Sequence, residues 1–472
     1  VLFPTLTFAV FFSIVLPLSW LLASRNTLWK WMLLVASWIF YGWWDVGCLM
    51  VLIASGVVNH ALGDQIAAAN DRATARRWLT GSIVLNLLVL VYYKYLDFLA
   101  DSILRLTGWS QPVEWVANLD IALPVGVSFF TFHAISYVVD LYRGSMKPVS
   151  RLDFSLYMAF FPHLVAGPIV RASELAPQLA KPPDPKEIDL GRALTLIGGG
   201  LFKKVVIADA ISTQLVDPVY AAPWDYPGST VALALYAYSF QVFADFSAYT
   251  DIAIGLANLM GIRFPQNFDN PYVSRSIQEF WRRWHMTLGR FLRDYVYIPL
   301  GGARHGTYVM MRALFLTMVV GGIWHGASWL FVIWGCAYGS ALIIERLFYE
   351  VVLERPVGSG GPVAAVFQRI FTFNFITLMY LPFRAASVDE ASAVLRAIFT
   401  QPWVWPDVSP RPVLAAAFGL AMVYFPVAWQ RGVEEGFRRL PVLAQAAVVG
   451  AVLAVVDALG TRGVAAFIYF QF

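Results

Sequence analysis

Charge is what this chain has least of. Only 14% of its 472 residues are Asp, Glu, Lys or Arg, while 59% are hydrophobic; a soluble globular protein carries roughly 25% charged residues. So little charge cannot cover a water-facing shell of this size, and lipid must be the solvent for much of the surface. Cysteine is nearly absent. Cys48 and Cys336 both lie in apolar segments, and two cysteines supply neither a disulfide framework nor a metal-ligand set. Both read as packing residues. The six histidines have few acidic neighbours and no metal-ligand spacing, so no metal site is expected. The net charge of +4 is modest and sits in particular loops, which speaks against a nucleic-acid-binding face. No Walker sequence, dinucleotide fingerprint or G-x-S-x-G stands in a fitting context. Strand-like alternation is missing too, so a β-barrel is not expected.

What is present is length in apolar runs, which cross the hydrocarbon core as helices at about 17–25 residues. Such runs cover 2–23, 31–44, 49–62, 78–96, 123–139, 193–211, 231–259, 309–347, 370–381, 413–428 and 442–459. A backbone in lipid must satisfy its own hydrogen bonds. The reading is therefore an all-α polytopic membrane protein with about eleven transmembrane helices. The first run lacks a basic leader and an A-x-A-type cleavage site, and reads as a retained span.

Basic loops give an orientation. Arg25 and Lys30, then Arg72, Arg76 and Arg77, then Arg143, Lys147 and Arg151 recur at alternate loops, while Asp101, Glu114 and Asp120 fall between them. The N-terminus is expected outside the cytoplasm. Residues 154–170 contain Pro162 and Gly167-Pro168 and predict a re-entrant or broken helix, which needs protein around it. The loops 171–192, 262–307 and 346–369 are expected in the cytoplasm. No tandem repeat or second soluble domain is visible, so 1–472 reads as one integral-membrane domain.

Three stretches carry candidate chemistry. In Ser276–Leu292, Trp281, Trp284, His285, Leu288 and Leu292 share one face of a continuous helix. Too charged to cross, this segment is expected to lie at the cytoplasmic interface or to wedge into the bundle. Composition alone favours an anionic-lipid anchor; the sharper reading offers arginines to the phosphates of coenzyme A. Within 309–347, Gly321-Gly322-Ile323-Trp324-His325-Gly326 sets an ionisable side chain at membrane depth, a functional candidate by default. Its small neighbours permit close approach, and an imidazole can take a proton from a hydroxyl near neutral pH. Asp245 and Asp251, six apart, do not stack on one helical face; structural pairing is expected. His133 and His163 could line the same cavity.

Glu279-Phe280-Trp281-Arg282-Arg283-Trp284-His285, Arg293-Asp294-Tyr295, Gly301-Gly302 and Trp324-His325-Gly326 together resemble the membrane-bound O-acyltransferase family, most narrowly its bacterial alginate O-acetylation branch. The likeness extends to Asp245-Phe246-Ser247, 264–268, Phe161-Pro162-His163 with Ala166-Gly167-Pro168, and the closing 467–472. It is densest over 240–340. Ala248 stands where that branch has glycine. The resemblance implies tilted helices around a central tunnel, with acetyl-coenzyme A entering from the cytoplasm. It further implies an extracytoplasmic acceptor, a glycan such as alginate reached through a periplasmic partner protein, and residence in the bacterial inner membrane. It makes His325 the catalytic histidine and His285 the second signature histidine. Arg282, Arg283, Trp281 and Trp284 become candidates for holding the donor.

On this reading His325 is the general base on an acceptor hydroxyl that attacks a thioester. A histidine-lined transporter or channel is the alternative, since broken helices fit that class as well, although no internal repeat supports it. A scaffold anchoring an extracytoplasmic modifying complex is the third reading.

Overall fold

The computed structural model describes residues 3–108, 123–406, 408–424 and 427–459. Among these, all regular structure is helical, and the described residues of every apolar run named above are mainly helix. Six helices are long and apolar enough to cross a membrane: Val46–Ala68, Arg72–Thr107, Gly228–Leu259, Thr307–His325, Trp329–Val352 and Pro362–Arg384. Leu6–Leu22, Pro410–Met422 and Leu443–Leu459 are shorter apolar helices. Two of the remaining runs differ from simple spans. Val127–Arg143 is buried over almost its whole length, and the 193–211 run is interrupted by a π-helical stretch, Lys203–Ala208. Glu114 and Asp120 of the expected outer loop, and the 467–472 segment, lie outside the described residues.

The chain forms two compact units. One comprises Val1–Ile188, Leu256–Pro265 and Gly326–Ser328; the other comprises Asp189–Gly255, Gln266–His325 and Trp329–Phe472.

In the first unit, side-chain caps start the helices. Thr5, Asp45 and Asp71 each accept from the backbone N–H three residues on, removing one orphan donor apiece. Val46–Ala68 and Arg72–Thr107 are joined by a buried amide pair. Asn59 Nδ2 donates to Asn86 Oδ1 at 3.1 Å, Asn86 Nδ2 returns to Asn59 Oδ1 at 2.7 Å, and Ser82 adds a third bond to Asn59. Such bonds link helices where apolar burial gives no preference. The basic loops gather on one side of this unit. Lys30 pairs with Asp153 at 2.6 Å, Arg72 stacks on Tyr142, Asn26 donates to Leu179 O, and Gln178 donates to Arg263 O.

The broken helix expected over 154–170 is present. Arg151–Ala159 ends at Phe160, whose backbone leaves the helical region (φ −55°, ψ 110°), and Phe161–Leu164 resumes with Pro162 in its first turn. The freed N–H of Phe161 donates to Ser37 Oγ at 3.1 Å, so the break is satisfied inside protein. His133 and His163 meet here at a ring separation of 4.6 Å.

The second unit is built around Gly228–Leu259, whose residues to Gly255 belong to it. Here Asp245 and Asp251 are paired, with lysines: Lys204 Nζ lies 2.9 Å from both Asp245 and Asp209, and Lys203 Nζ contacts Asp251 at 2.5 Å. Thr307–His325 and Trp329–Leu347 form a close hairpin because glycines face one another. A Cβ on Gly335 would sit 2.7 Å from Met318 O, and one on Gly322 2.3 Å from Phe331 O. We expect Gly335→Val to separate these helices at a cost of about 1–3 kcal/mol, read as a lower Tm in detergent. Gly199→Ala, which meets no atom within 4 Å, should leave Tm at or slightly above wild type. Equal Tm for Gly335→Val and wild type would contradict the packing.

Candidate functional site

The Ser276–Leu292 segment is two helices, not one. Ile277–Arg283 and Met286–Leu292 are separated at Trp284-His285, and His285 adopts φ 43°, ψ 54°, in the left-handed region. The expected single face through Trp281, Trp284, His285, Leu288 and Leu292 is therefore broken. A non-glycine residue holds that conformation only when its surroundings impose it, and Asn267 does so. Its Oδ1 lies 3.1 Å from His285 Nδ1 and accepts from Thr287 N at 3.1 Å and Thr287 Oγ1 at 2.8 Å. Its backbone oxygen accepts from Met286 N. One asparagine from another stretch of chain thus caps the second helix.

The first helix is also tied down at its start. Ser276 Oγ accepts from Glu279 N, and the Glu345 carboxylate accepts from Ile277 N at 2.8 Å and Gln278 N at 3.1 Å. A carboxylate suits a helix N-terminus, where the dipole is positive. Because Glu345 belongs to Trp329–Leu347, this contact holds the tryptophans of one helix against the aromatics of the other.

Asn267 Oδ1 can only accept, so the ring proton of neutral His285 sits on Nδ1 and Nε2 is left as a bare acceptor. That Nε2 is buried with no hydrogen-bond partner among the described residues. Burial pushes the His285 imidazole down to about 3, which keeps the ring neutral throughout the physiological range.

His325 ends Thr307–His325 and is buried. Reading the span linearly sets it near the outer end of a helix, and it is indeed the last helical residue, yet it lies inside the unit. It lines a narrow cavity, with about 20 Å³ open to the centre of a water molecule, whose wall includes Trp281, Trp284, Trp334, Tyr338 and Phe383. The His325 ring lies 5.2 Å from Trp334 and 5.1 Å from Phe383, both nearly edge-on. Trp281 packs edge-on against Trp334 at 5.7 Å and Tyr338 at 5.1 Å. Trp284 and Trp334 are buried and Trp281 is half-buried against Trp334 and Tyr338, so these rings are engaged in protein contacts, as a segment wedged into the bundle would have them.

Of the residues singled out in the sequence, His325, Trp281 and Trp284 share this cavity. His285 stands behind its wall, against Phe246 at 4.7 Å and one ring away from His325 through Trp324. Arg283 is engaged by Glu279 at 3.0 Å and Asp269 at 3.2 Å, while Arg282 is exposed and has no ion pair among the described residues. His133 and His163 belong to the first unit. Sequence reading missed Asn267, Glu345, Trp334, Tyr338 and Phe383 as parts of the site. Phe331, Trp334 and Tyr338 do recur at helical spacing, but inside an apolar span that pattern also describes any buried face.

Residues 87–381 match the family described as MBOAT, the membrane-bound O-acyltransferase family. The chain belongs to this family. It is similar to the "Probable alginate O-acetylase AlgI" of Azotobacter vinelandii, 37% identical over 86% of this chain and 79% of the relative. The protein of the same name from Pseudomonas aeruginosa is 40% identical over 78% of this chain and 69% of its own length. The peptidoglycan O-acetyltransferase of Helicobacter pylori is 35% identical over 79% and 75%. This multi-pass membrane protein is an O-acyltransferase, which decides against the transporter and scaffold alternatives.

In this acyltransferase the brace at Asn267 is open to test. Asn267→Ala leaves the Thr287 N–H and the His285 Nδ1–H buried without an acceptor, which costs roughly 1–3 kcal/mol per group. We expect a lower Tm and faster protease cleavage near 284–286. A variant as stable and as resistant as wild type would mean that the break at His285 is held by something else.

Proposed function

We propose that this O-acyltransferase moves an acetyl group from acetyl-coenzyme A, entering at the cytoplasmic face of the bacterial inner membrane, to a hydroxyl of an extracytoplasmic glycan. The route to the glycan runs through a periplasmic partner protein. The observation that carries this reading is His325 on the wall of a small aromatic cavity in the core of the second unit. An imidazole there can take the proton of the attacking hydroxyl, which is worth roughly 10²–10⁴ in rate. The stiff aromatic wall adds the gain from holding two reactants in one place.

The glycan acceptor is supported by the names of the relatives, which concern alginate and peptidoglycan. For the donor's phosphates, exposed Arg282 is the better placed of the two arginines, because Arg283 is already engaged by two carboxylates. His285 acts by holding the wall beside Phe246 and Trp324. The basic loops gathered on one side of the first unit support a cytoplasmic side there and an outward N-terminus.

His325→Ala should abolish transfer of labelled acetyl from coenzyme A by the purified protein, supplied with its partner, while Tm stays near wild type. His285→Ala should lower turnover together with Tm. A folded His325→Ala protein with near wild-type turnover would remove the general-base role. Arg282→Gln should raise KM for acetyl-coenzyme A by roughly 10–150-fold, the loss of one charge-assisted hydrogen bond to phosphate, with kcat little changed. An unaltered KM would take Arg282 out of the donor site.

A further inference from the structure

Two indole N–H groups of the cavity-lining side chains have no partner among the described residues. Trp281 Nε1 and Trp334 Nε1 are both buried and find no hydrogen-bond acceptor among the described residues. A buried donor left without an acceptor is costly, and native structures hold few of them. Other buried polar atoms of the described residues share this condition; these two are set apart because they lie on different helices, with rings 5.7 Å apart and nearly perpendicular, in side chains that line the cavity that His325 lines. The Trp334 ring is also 5.2 Å from the His325 ring. Apart from the hydroxyls of Tyr338 and Tyr380, the remainder of the wall is hydrocarbon, indole or imidazole. A molecule entering this cavity must bring its own acceptor oxygen.

We infer that the indole N–H groups of Trp281 and Trp334 bind the carbonyl oxygen of an acyl thioester and hold the negative charge it gains during transfer. The inference rests on acyl transfer taking place beside His325. The acceptor hydroxyl oxygen attacks the thioester carbon and a C–O bond forms. The hydroxyl proton passes to His325, and the carbonyl π pair moves onto oxygen, where the two N–H groups stabilise it. Collapse restores the carbonyl, the C–S bond breaks, and the departing thiolate takes the proton from His325. An ester and a free thiol result, with no change in oxidation state. Fixed donors aimed at developing charge need no reorganisation as the reaction proceeds. An indole suits a water-poor cavity, because it adds a single donor to an otherwise apolar surface.

The test removes the N–H and keeps the ring. Trp281→Phe and Trp334→Phe should each lower kcat for acetyl transfer by roughly 10²–10³, the usual loss of one such donor, with KM for acetyl-coenzyme A changed less than about threefold. Because a smaller ring could loosen the core, the same positions are also filled with β-(benzothien-3-yl)alanine, in which sulfur replaces the N–H within a ring of nearly the same shape. The same fall in kcat at wild-type Tm supports the assignment. Near wild-type kcat in the benzothienyl proteins overturns it, even where the Phe variants are slow, since packing would then be the only role. In that case His325→Ala remains inactive and the acetyl-transfer reading stands. Wild-type protein that fails to consume acetyl-coenzyme A overturns the parent reading and this inference with it.

Discussion

A backbone N–H or C=O that leaves its helix in a membrane interior has no water to turn to. The rest of this structure follows from how that constraint is met. In the first unit the chain breaks at Phe160, and Ser37 accepts the released N–H of Phe161. In the second it breaks at Trp284-His285, and Asn267 takes up the donors on the far side of the break. Glu345 supplies the same service to the start of the first half-helix. Each break is paired with a polar side chain from a separate stretch of sequence, so helical interruption becomes a means of placing side chains.

The same logic governs charge. Lys204 lies buried between Asp209 and Asp245, and Lys203 is held by Asp251 and Ser247. Charges withdrawn from water persist only when partnered. Removing one member of such a group is worse than never having had it, since the other is left uncompensated. The pairs set the central helix Gly228–Leu259 in fixed register within its unit, and Phe246, next to Asp245, is thereby presented both to the cavity and to His285. Glycine does the complementary task where Thr307–His325 meets Trp329–Leu347. Backbones that touch through Gly322 and Gly335 bring His325 and Trp334 into one wall.

Much of this was legible in the sequence, and the reason is periodic. Apolar runs report removal from water, into lipid or into protein, whatever the tertiary arrangement, so the all-helical polytopic class could be read directly, as could the break near Pro162. His325 could be found because an ionisable residue at membrane depth is rare. The continuous helix drawn through 276–292 could not have been corrected from its own residues. Helical spacing there is regular, and the interruption is imposed by Asn267, some 20 residues away. Lysine partners for Asp245 and Asp251 were hidden for the same reason: Lys203 and Lys204 sit in a run that reads as an ordinary span, and the π-helical stretch that turns them toward the carboxylates leaves no local signature. Trp334 and Tyr338 were passed over because aromatic residues in an apolar helix are ordinary until their neighbours are known.

The two signature histidines show how far side-chain chemistry depends on place. Both are buried imidazoles in aromatic surroundings, and in sequence they carry equal weight. His285 spends its Nδ1–H on Asn267 and stands at a backbone turn that nothing else in the segment would hold. It is separated from the cavity by Phe246 and Trp324, and any change to it moves those rings. His325 ends a helix, meets Trp334 and Phe383 edge-on, and forms part of the cavity surface itself. A residue that braces a strained turn acts on everything built upon that turn, whereas a residue on an open wall acts on what enters. The relatives named for alginate and for peptidoglycan share sequence with this chain over most of its length, so the fold they have in common does not specify an acceptor. Function on a shared fold has to be argued from the site, and here the site is a small aromatic cavity lined by His325, Trp281 and Trp334.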